Sequence, residues 1–429
     1  MIVLKLLAIV FLTVVTAAAQ DSAEILKRMK AMEDRIIALE TELRTLKAER
    51  AAPVAQAAVS TPQPPPEMPP PPPEPPVQLG GAGAAAAKAL NPDVAVIGDF
   101  LGAAGKGGPN GPPALEMHES EAAFQAILDP YARADFFISF GQHGVDLEEG
   151  FITFTSLPWG LQLRAGKMRA AFGKVNSLHN HVLPWADRPL VIQNLVGGED
   201  GINDAGFSLS RILPSPKGLF LEGTAQIFKG DSEGVFSARN RKDVSTVEHL
   251  RAFRDLSEST NLDLGVSYAR GHSAIADSSN QLYSIDATLR WKPLRRAVYH
   301  SFIARSEFIW DRSRQGQLDA SGLIAGSIAP PPPALRFATP ISRPFGYYAS
   351  ADYQIAQRWF LGGRFDRSDE LLNSALRDTG GSAILTFWPS EFSQIRTQFR
   401  RTRYGDKLTA NELLFQLQFS IGAHGAHPF

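Results

Sequence analysis

Two histidines two positions apart, His179 and His181, stand in the run NSLHNHVLPWADRPLV (Asn176–Val191), with Asp187 close behind. On an extended backbone, residues two apart point the same way, so both imidazoles can share one ion and Asp187 can add an oxygen ligand. Zinc is the metal this nitrogen and oxygen set suits. The competing reading is a pair of polar loop histidines satisfied by neighbouring groups, and His424 and His427 in the tail AHGAHPF face the same choice. No nucleophile stands in a set with a base and a group to orient it, so the residues give no case for an enzyme. Cysteine is absent, which excludes disulfides and thiolate chemistry.

What can position such a loop depends on the elements around it. The chain opens MIVLKLLAIVFLTVVTAAAQ, a short apolar run ending in small residues, which reads as a signal peptide over 1–19. Over 20–50, Ile25, Met29, Met32, Ile36, Leu39, Leu43 and Leu46 recur at alternating spacings of four and three, the a/d seam of a short coiled coil. Residues 51–90 hold a proline tract and then a Gly/Ala hinge. Proline fixes φ and removes donors, so the tract reads as a polyproline II spacer that, at about 3.1 Å per residue, reaches roughly 50 Å. Basic and acidic residues number 43 and 44, a balance with no attraction for nucleic acid.

From 91 to 429 the pattern changes to period-two alternation. In YSIDATLRW, Tyr283, Ile285, Ala287, Leu289 and Trp291 share one face against Ser284, Asp286, Thr288 and Arg290. Runs of this kind recur about sixteen times at about ten residues each, the length of a membrane-crossing strand. The connectors alternate: short at 129–130, 158–160, 214–217, 256–260, 292–297, 356–358 and 389–391, and mostly long between, as at 172–204 and 312–345. Segregation of short turns from long loops, with tryptophans near strand ends, is the mark of a transmembrane barrel rather than a sandwich. The fold expected is all-β, a 16-stranded antiparallel transmembrane β-barrel. It should sit among outer-membrane lipids, with the N-terminal region in the periplasm.

A barrel of that size encloses a lumen that strand side chains alone do not fill. The polar faces then place Arg133, Arg164, Arg290 and Arg305 along the pore, with Asp286, Glu307 and Asp352 among them. Arg364, Arg396 and Arg400, on neighbouring strands, form one basic stripe. The 172–204 connector carries Asp187, Glu199, Asp200 and Asp204, an acidic set placed to face that stripe across the pore. Its apolar residues, Leu183, Trp185, Leu190, Val191, Ile192 and Leu195, call for a surface to bury against, and the lumen wall is nearest.

NPDVAVIGDF (91–100), the block DLEEGFITFTSLPWGLQLRAGKMRAAFGKVNSLHNHVLPWADRPLV (146–191), DGINDAGFSLSRILP (200–214) and the terminal FSIGAHGAHPF resemble a group of bacterial outer-membrane proteins. These are described as zinc-regulated, TonB-dependent-type receptors with a porin-like build. More distantly the chain resembles the phosphate-selective porins, which are trimeric sixteen-stranded barrels with an N-terminal coiled coil. The resemblance implies passage of solutes across the outer membrane, a third external loop folded into the lumen as a constriction, and a link to zinc. An energised receptor needs a plug and usually a 22-stranded barrel; here coiled coil and linker precede the strands. A passive porin for small hydrophilic solutes or ions is therefore the first reading, ahead of a zinc-linked receptor and of an envelope tether contacting the cell wall. A homotrimer follows from the heptad seam and from the resemblance. Replacing Leu39 and Leu43 by aspartate should weaken a trimer captured by cross-linking in mild detergent; a native protein that is monomeric throughout would defeat this expectation.

Overall fold

The computed structural model describes residues 92–109, 111–141, 144–273, 279–314, 341–371 and 373–422. The signal peptide, coiled coil, linker, His424 and His427 lie outside them. Sixteen long antiparallel strands form one closed sheet. They are β1 Asp93–Lys106, β2 Leu115–Asp129, β3 Ala132–Gly141, β4 Gly144–Leu157, β5 Leu161–Arg169, β6 Asn203–Leu213, β7 Leu219–Phe228 and β8 Ser245–Ser257. The second half is β9 Thr260–His272, β10 Ser279–Trp291, β11 Phe302–Arg314, β12 Phe345–Ala356, β13 Trp359–Asp369, β14 Arg377–Ser390, β15 Ser393–Arg403 and β16 Thr409–Gly422. A two-residue strand, Ile341–Ser342, extends the pairing of β11. Each strand pairs with its neighbours in sequence, and β1 closes the ring on β16, Phe100 facing Leu417. Closure leaves no edge strand to satisfy.

The alternation resolves as an inside-out protein. Along β16, Leu413, Phe415 and Ile421 are 48%, 41% and 66% exposed, whereas Gln416 and Gln418 are 2% and 5%. In β9, Leu264 and Val266 stand outward while Asp263 and Ser267 are buried. The apolar face is the outer wall, as a barrel in hydrocarbon requires. Aromatic side chains cluster at both ends of that wall: Phe308, Trp310, Phe345 and Tyr347 stack near the long loops, and Trp359 stacks on Phe387 near the short turns.

The connectors sort as expected, with two differences. The PWG turn has positive φ at both Trp159 (63°) and Gly160 (69°), the left-handed pair that closes a tight hairpin without splaying its strands. The connector expected at 292–297 runs to Ser301, because Tyr299 and His300 close a turn onto the Arg296 carbonyl before β11 begins. The third long loop is bounded by Arg169 and Asn203, so Asp204 belongs to β6 rather than to the loop.

The lumen wall also departs from expectation, because part of it is apolar. Phe228, Val247, Ala269, Leu282, Ile309, Tyr348 and Ile384 point inward and pack with Trp185, Val191, Ile192 and Leu195 of the third loop and Val235 and Phe236 of the fourth. Polar strand faces alone would give a wetted bore; here two loops bring their own apolar surface inside. The outer wall supplies a direct test. Val266→Arg, at the middle of β9 and facing outward, should cost about 2–4 kcal/mol in unfolding from lipid vesicles; no change in the urea midpoint would show that this face does not meet hydrocarbon.

Candidate functional site

The third loop, residues 170–202, is fastened at its neck. Asn176 sends its amide to the carbonyls of Ala170 (2.9 Å) and Ile202 (3.1 Å), and its Oδ1 accepts from the Ile202 N–H at 2.8 Å. Both ends of the loop are thus held by one buried side chain. Gly173 then passes so close to the wall that a Cβ would lie 1.7 Å from Glu307 Oε1, and its φ is +58°. Only glycine fits both demands. Its N–H donates to Ser267 Oγ (2.9 Å), the next N–H but one, of Val175, donates to Glu307 Oε2 (3.3 Å), and Lys174 reaches Asp263 (3.2 Å).

The histidines come next and meet an acidic wall. His179 Nε2 lies 2.7 Å from Glu149 Oε2, while its Nδ1 lies 2.8 Å from Glu121 Oε2 and 3.0 Å from Glu148 Oε2. Asn180 donates to Glu119 (2.8 Å), and the His181 carbonyl accepts from Gln418 (3.0 Å). Burial opposes charge on His179, and the three glutamates overcome it, raising its pKa well above the ordinary value. His181 is lowered by burial. The two rings stand 5.7 Å apart, centre to centre.

Asp187 is elsewhere. Its Oδ2 accepts from Arg364 Nη2 (2.9 Å) and Arg400 Nη1 (2.7 Å), its Oδ1 from Gln398 Nε2 (2.5 Å), and its carbonyl from Arg364 Nη1 (2.9 Å). It is no partner of the histidines, and the metal set of His179, His181 and Asp187 is not assembled. Arg396 donates to the Trp185 carbonyl (3.1 Å), and Arg364 stacks its guanidinium 4.9 Å from the Trp185 ring centre. The short helix α1, Leu190–Leu195, then buries Leu190, Val191, Ile192 and Leu195. Asn194 ties it to Asp378 at 2.9 Å.

Of the expected basic stripe, Arg364 and Arg400 lie in one row across the wall, with Arg305 added, while Arg396 sits in another row beside Thr386 and Gln416. Register places Arg305, Ser350, Arg364, Ser382, Arg400 and Glu412 side by side across six strands. Arg305 pairs with Asp352, Arg364 with Asp366 and Arg400 with Glu412. Of the four acids expected to face this stripe, only Asp187 does. Glu199 is exposed and meets His118 at 3.2 Å, and Asp200 offers its carbonyl to Arg169 at 3.1 Å. The Asp204 carboxylate accepts from the N–H groups of Gly230 (2.8 Å) and Asp231 (2.7 Å), holding the fourth loop.

The remaining predicted pore residues face inward too. Arg133 pairs with Asp135, Arg290 lies 3.8 Å from Asp263, and Arg164 stacks over Phe151 at 5.3 Å. Asp286 and Glu307 are buried in the wall. Beneath the histidines lies a cavity of about 490 Å³ bordered by β1 to β5, with Arg133, Arg164, Glu121 and Glu149 on its sides and His179 and His181 on its roof.

Sequence reasoning missed Glu148 and Glu149. Adjacent strand residues point to opposite faces, so two consecutive glutamates cannot both face the lumen in a regular strand. They do here because the β3–β4 ladder slips: Phe137 pairs with Glu149 and Ile138 with Leu147, leaving Glu148 as the extra residue of a bulge. The irregular alternation of that strand was the only trace.

No family model matches the chain. It is 26% identical over 352 residues to an uncharacterised protein of Aquifex aeolicus (strain VF5), covering 73% of this chain and 70% of that one. Among solved structures, an anion-selective porin from Comamonas acidovorans superposes with a TM-score of 0.52 at 9% identity, over 77% of this chain and 99% of the porin. A loop-deletion form of OmpT, an outer-membrane protein of Vibrio cholerae, gives 0.50 at 6% identity, over 78% and 100%. Salmonella typhi OmpF in complex with daunomycin gives 0.50 at 8%, over 78% and 99%. Identities this low establish a shared fold: the sixteen-stranded barrel of the outer-membrane type.

The Asp187 anchor is testable. Burial would raise its pKa, but Arg364 and Arg400 bring it down from 3.8 to about 2. A carboxylate lowered on docking contributes stability in full above its free value, and that contribution is lost as pH falls through the docked value. Wild-type loop should become cleavable by pepsin between about pH 4 and pH 2. Asp187→Ala, removing about 2–3 kcal/mol of charged hydrogen bonding, should make it cleavable already at pH 4. Equal resistance of both proteins at pH 4 would mean that this carboxylate does not hold the loop.

Proposed function

We propose that the protein is an outer-membrane channel for passive passage of small hydrophilic solutes or ions, with the third loop as its constriction. The observation that carries this reading is the loop's course: it crosses from an acidic wall at His179 to a basic wall at Asp187, beside an open, charge-lined cavity. A closed barrel with an apolar exterior suits the outer membrane. β1 begins at the short-turn rim, which supports a periplasmic N-terminal region in this reading. There a coiled coil can gather three copies into a homotrimer and the proline spacer can reach toward the cell wall.

The channel is passive in this reading, and many of its charged groups are spent on one another and on the loop backbone. A TonB-dependent-type receptor draws less support, since the lumen is occupied by the barrel's own loops where such a receptor would use a separate plug. A porin likeness is consistent with the channel, and the name of the Comamonas protein suggests anions, but the mixed charges here give no dense basic ladder.

Planar-bilayer recording tests the proposal. Deleting residues 178–198 should raise single-channel conductance while gels still show the heat-resistant folded barrel. Unchanged conductance would place the ion path away from the loop, and absence of discrete steps from the wild-type protein would end the channel reading.

A further inference from the structure

The donors around His179 form a more specific arrangement than an acidic wall. We propose that His179 Nδ1, with one carboxylate oxygen each from Glu121 and Glu148, binds a single divalent transition-metal ion that clips the crossing loop to β2 and β4. The three donor atoms lie within 4.8 Å of one another. His179 Nδ1 is 2.8 Å from Glu121 Oε2 and 3.0 Å from Glu148 Oε2. An ion at about 2.0–2.2 Å from each donor sets tetrahedral donors roughly 3.4 Å apart, so the two imidazole–carboxylate separations need only widen by about half an ångström.

Hydrogen bonding leaves two of these three atoms unsatisfied. His179 Nδ1 and Glu121 Oε2 are both buried without a hydrogen-bond partner, while Glu148 Oε2 accepts from Arg169 Nη2 at 3.2 Å. His181 Nδ1, 3.6 Å from the same Glu121 oxygen, is equally unpartnered and stands ready as a fourth donor. The other imidazole nitrogen does have a partner: His179 Nε2 meets Glu149 Oε2 at 2.7 Å. A carboxylate on one nitrogen fixes the tautomer and turns the other's lone pair toward an ion, as it does for most metal-bound histidines. Glu149 is held in turn by the backbone N–H of Arg169 at 2.7 Å.

Charge balance argues the same way. Asp99, Glu121, Glu148 and Glu149 are all buried here, and Arg169, which meets Glu148 at 3.2 Å, is the one arginine paired with any of them among the described residues. His118 stands 3.8 Å from Asp99, and a divalent cation in place of a proton on His179 offsets more of this charge than one guanidinium can. One imidazole with carboxylate oxygens favours zinc and its neighbours over magnesium or calcium, which prefer oxygen alone.

The test uses the full chain folded in detergent, stripped with a chelator and titrated with zinc chloride in a calorimeter, with excess magnesium present. About one zinc per chain should bind, and the loop should become more resistant to protease. His179→Ala and Glu121→Gln should abolish uptake; the second is isosteric and keeps the test open if the first fails to fold. Glu149→Gln, which alters the group on the other imidazole nitrogen and none of the three proposed donor atoms, should weaken binding about 10–100-fold. Failure of the wild type to take up zinc, or equal uptake by Glu121→Gln, overturns the proposal, the latter assigning the metal to other groups such as His424 and His427. Uptake is read without any conductance measurement, so this result stands apart from the channel reading.

Discussion

A strand in hydrocarbon can satisfy its N–H and C=O groups only on another strand, and every other feature of this protein follows from that requirement. It closes β1 on β16 and turns the apolar faces outward, so that Asp263, Gln416 and Gln418 are enclosed while Leu264 and Phe415 are not. It also decides where long connectors can go. A loop rich in leucine, valine and isoleucine has no dry core beneath a barrel rim. The only surface that removes its side chains from water is the inside of the ring, and there Val191, Ile192 and Leu195 reach essentially complete burial.

Once inside, the loop is oriented by charge. The wall is polarised: carboxylates of β1, β2 and β4 on one side, and the arginine row running from β11 to β15 on the other. The loop presents His179 to the first and Asp187 to the second, eight positions along the chain. Reversing its direction would set imidazole against guanidinium and carboxylate against carboxylate. In a partly dry lumen such like-charge contacts cost far more than they would in water. Apolar burial fixes that the loop enters, and these two contacts fix how it lies.

Legibility in the sequence tracks these same forces. Period-two alternation reports a local property, which face each residue takes, and all sixteen strands could be read from it. The burial of the third loop was legible for a similar reason, since its composition demands a surface. Partner choice was not. His179, His181 and Asp187 are neighbours in sequence, yet the backbone carries the carboxylate to strands more than a hundred and seventy residues away, as the Asp187–Arg364 pair shows. Glu148 was hidden by a one-residue slip in a ladder, which inverts the face of a side chain without altering composition. Asp204 was assigned to a loop that ends two residues earlier than the pattern suggested.

The lumen is divided between an apolar side and a charged side. On the β7–β14 side, Tyr348, Ile309 and Leu282 meet the loop's apolar face. That packing resembles a soluble core and gives the loop a rigid backing. On the β1–β5 side, the loop turns its polar edge to the wall, and the cavity remains open between Arg133, Arg164 and the glutamates. In the proposed channel, a solute entering there would meet both signs of charge within one small chamber. Such a lining would replace hydration for polar solutes of either sign and offer little to an apolar one. The loop segment between Asn176 and Asp187 borders that cavity, and its two ends are held by the neck amide and the arginine pair. If the cavity is the proposed passage, releasing one of those ends would change its width without disturbing the barrel that surrounds it.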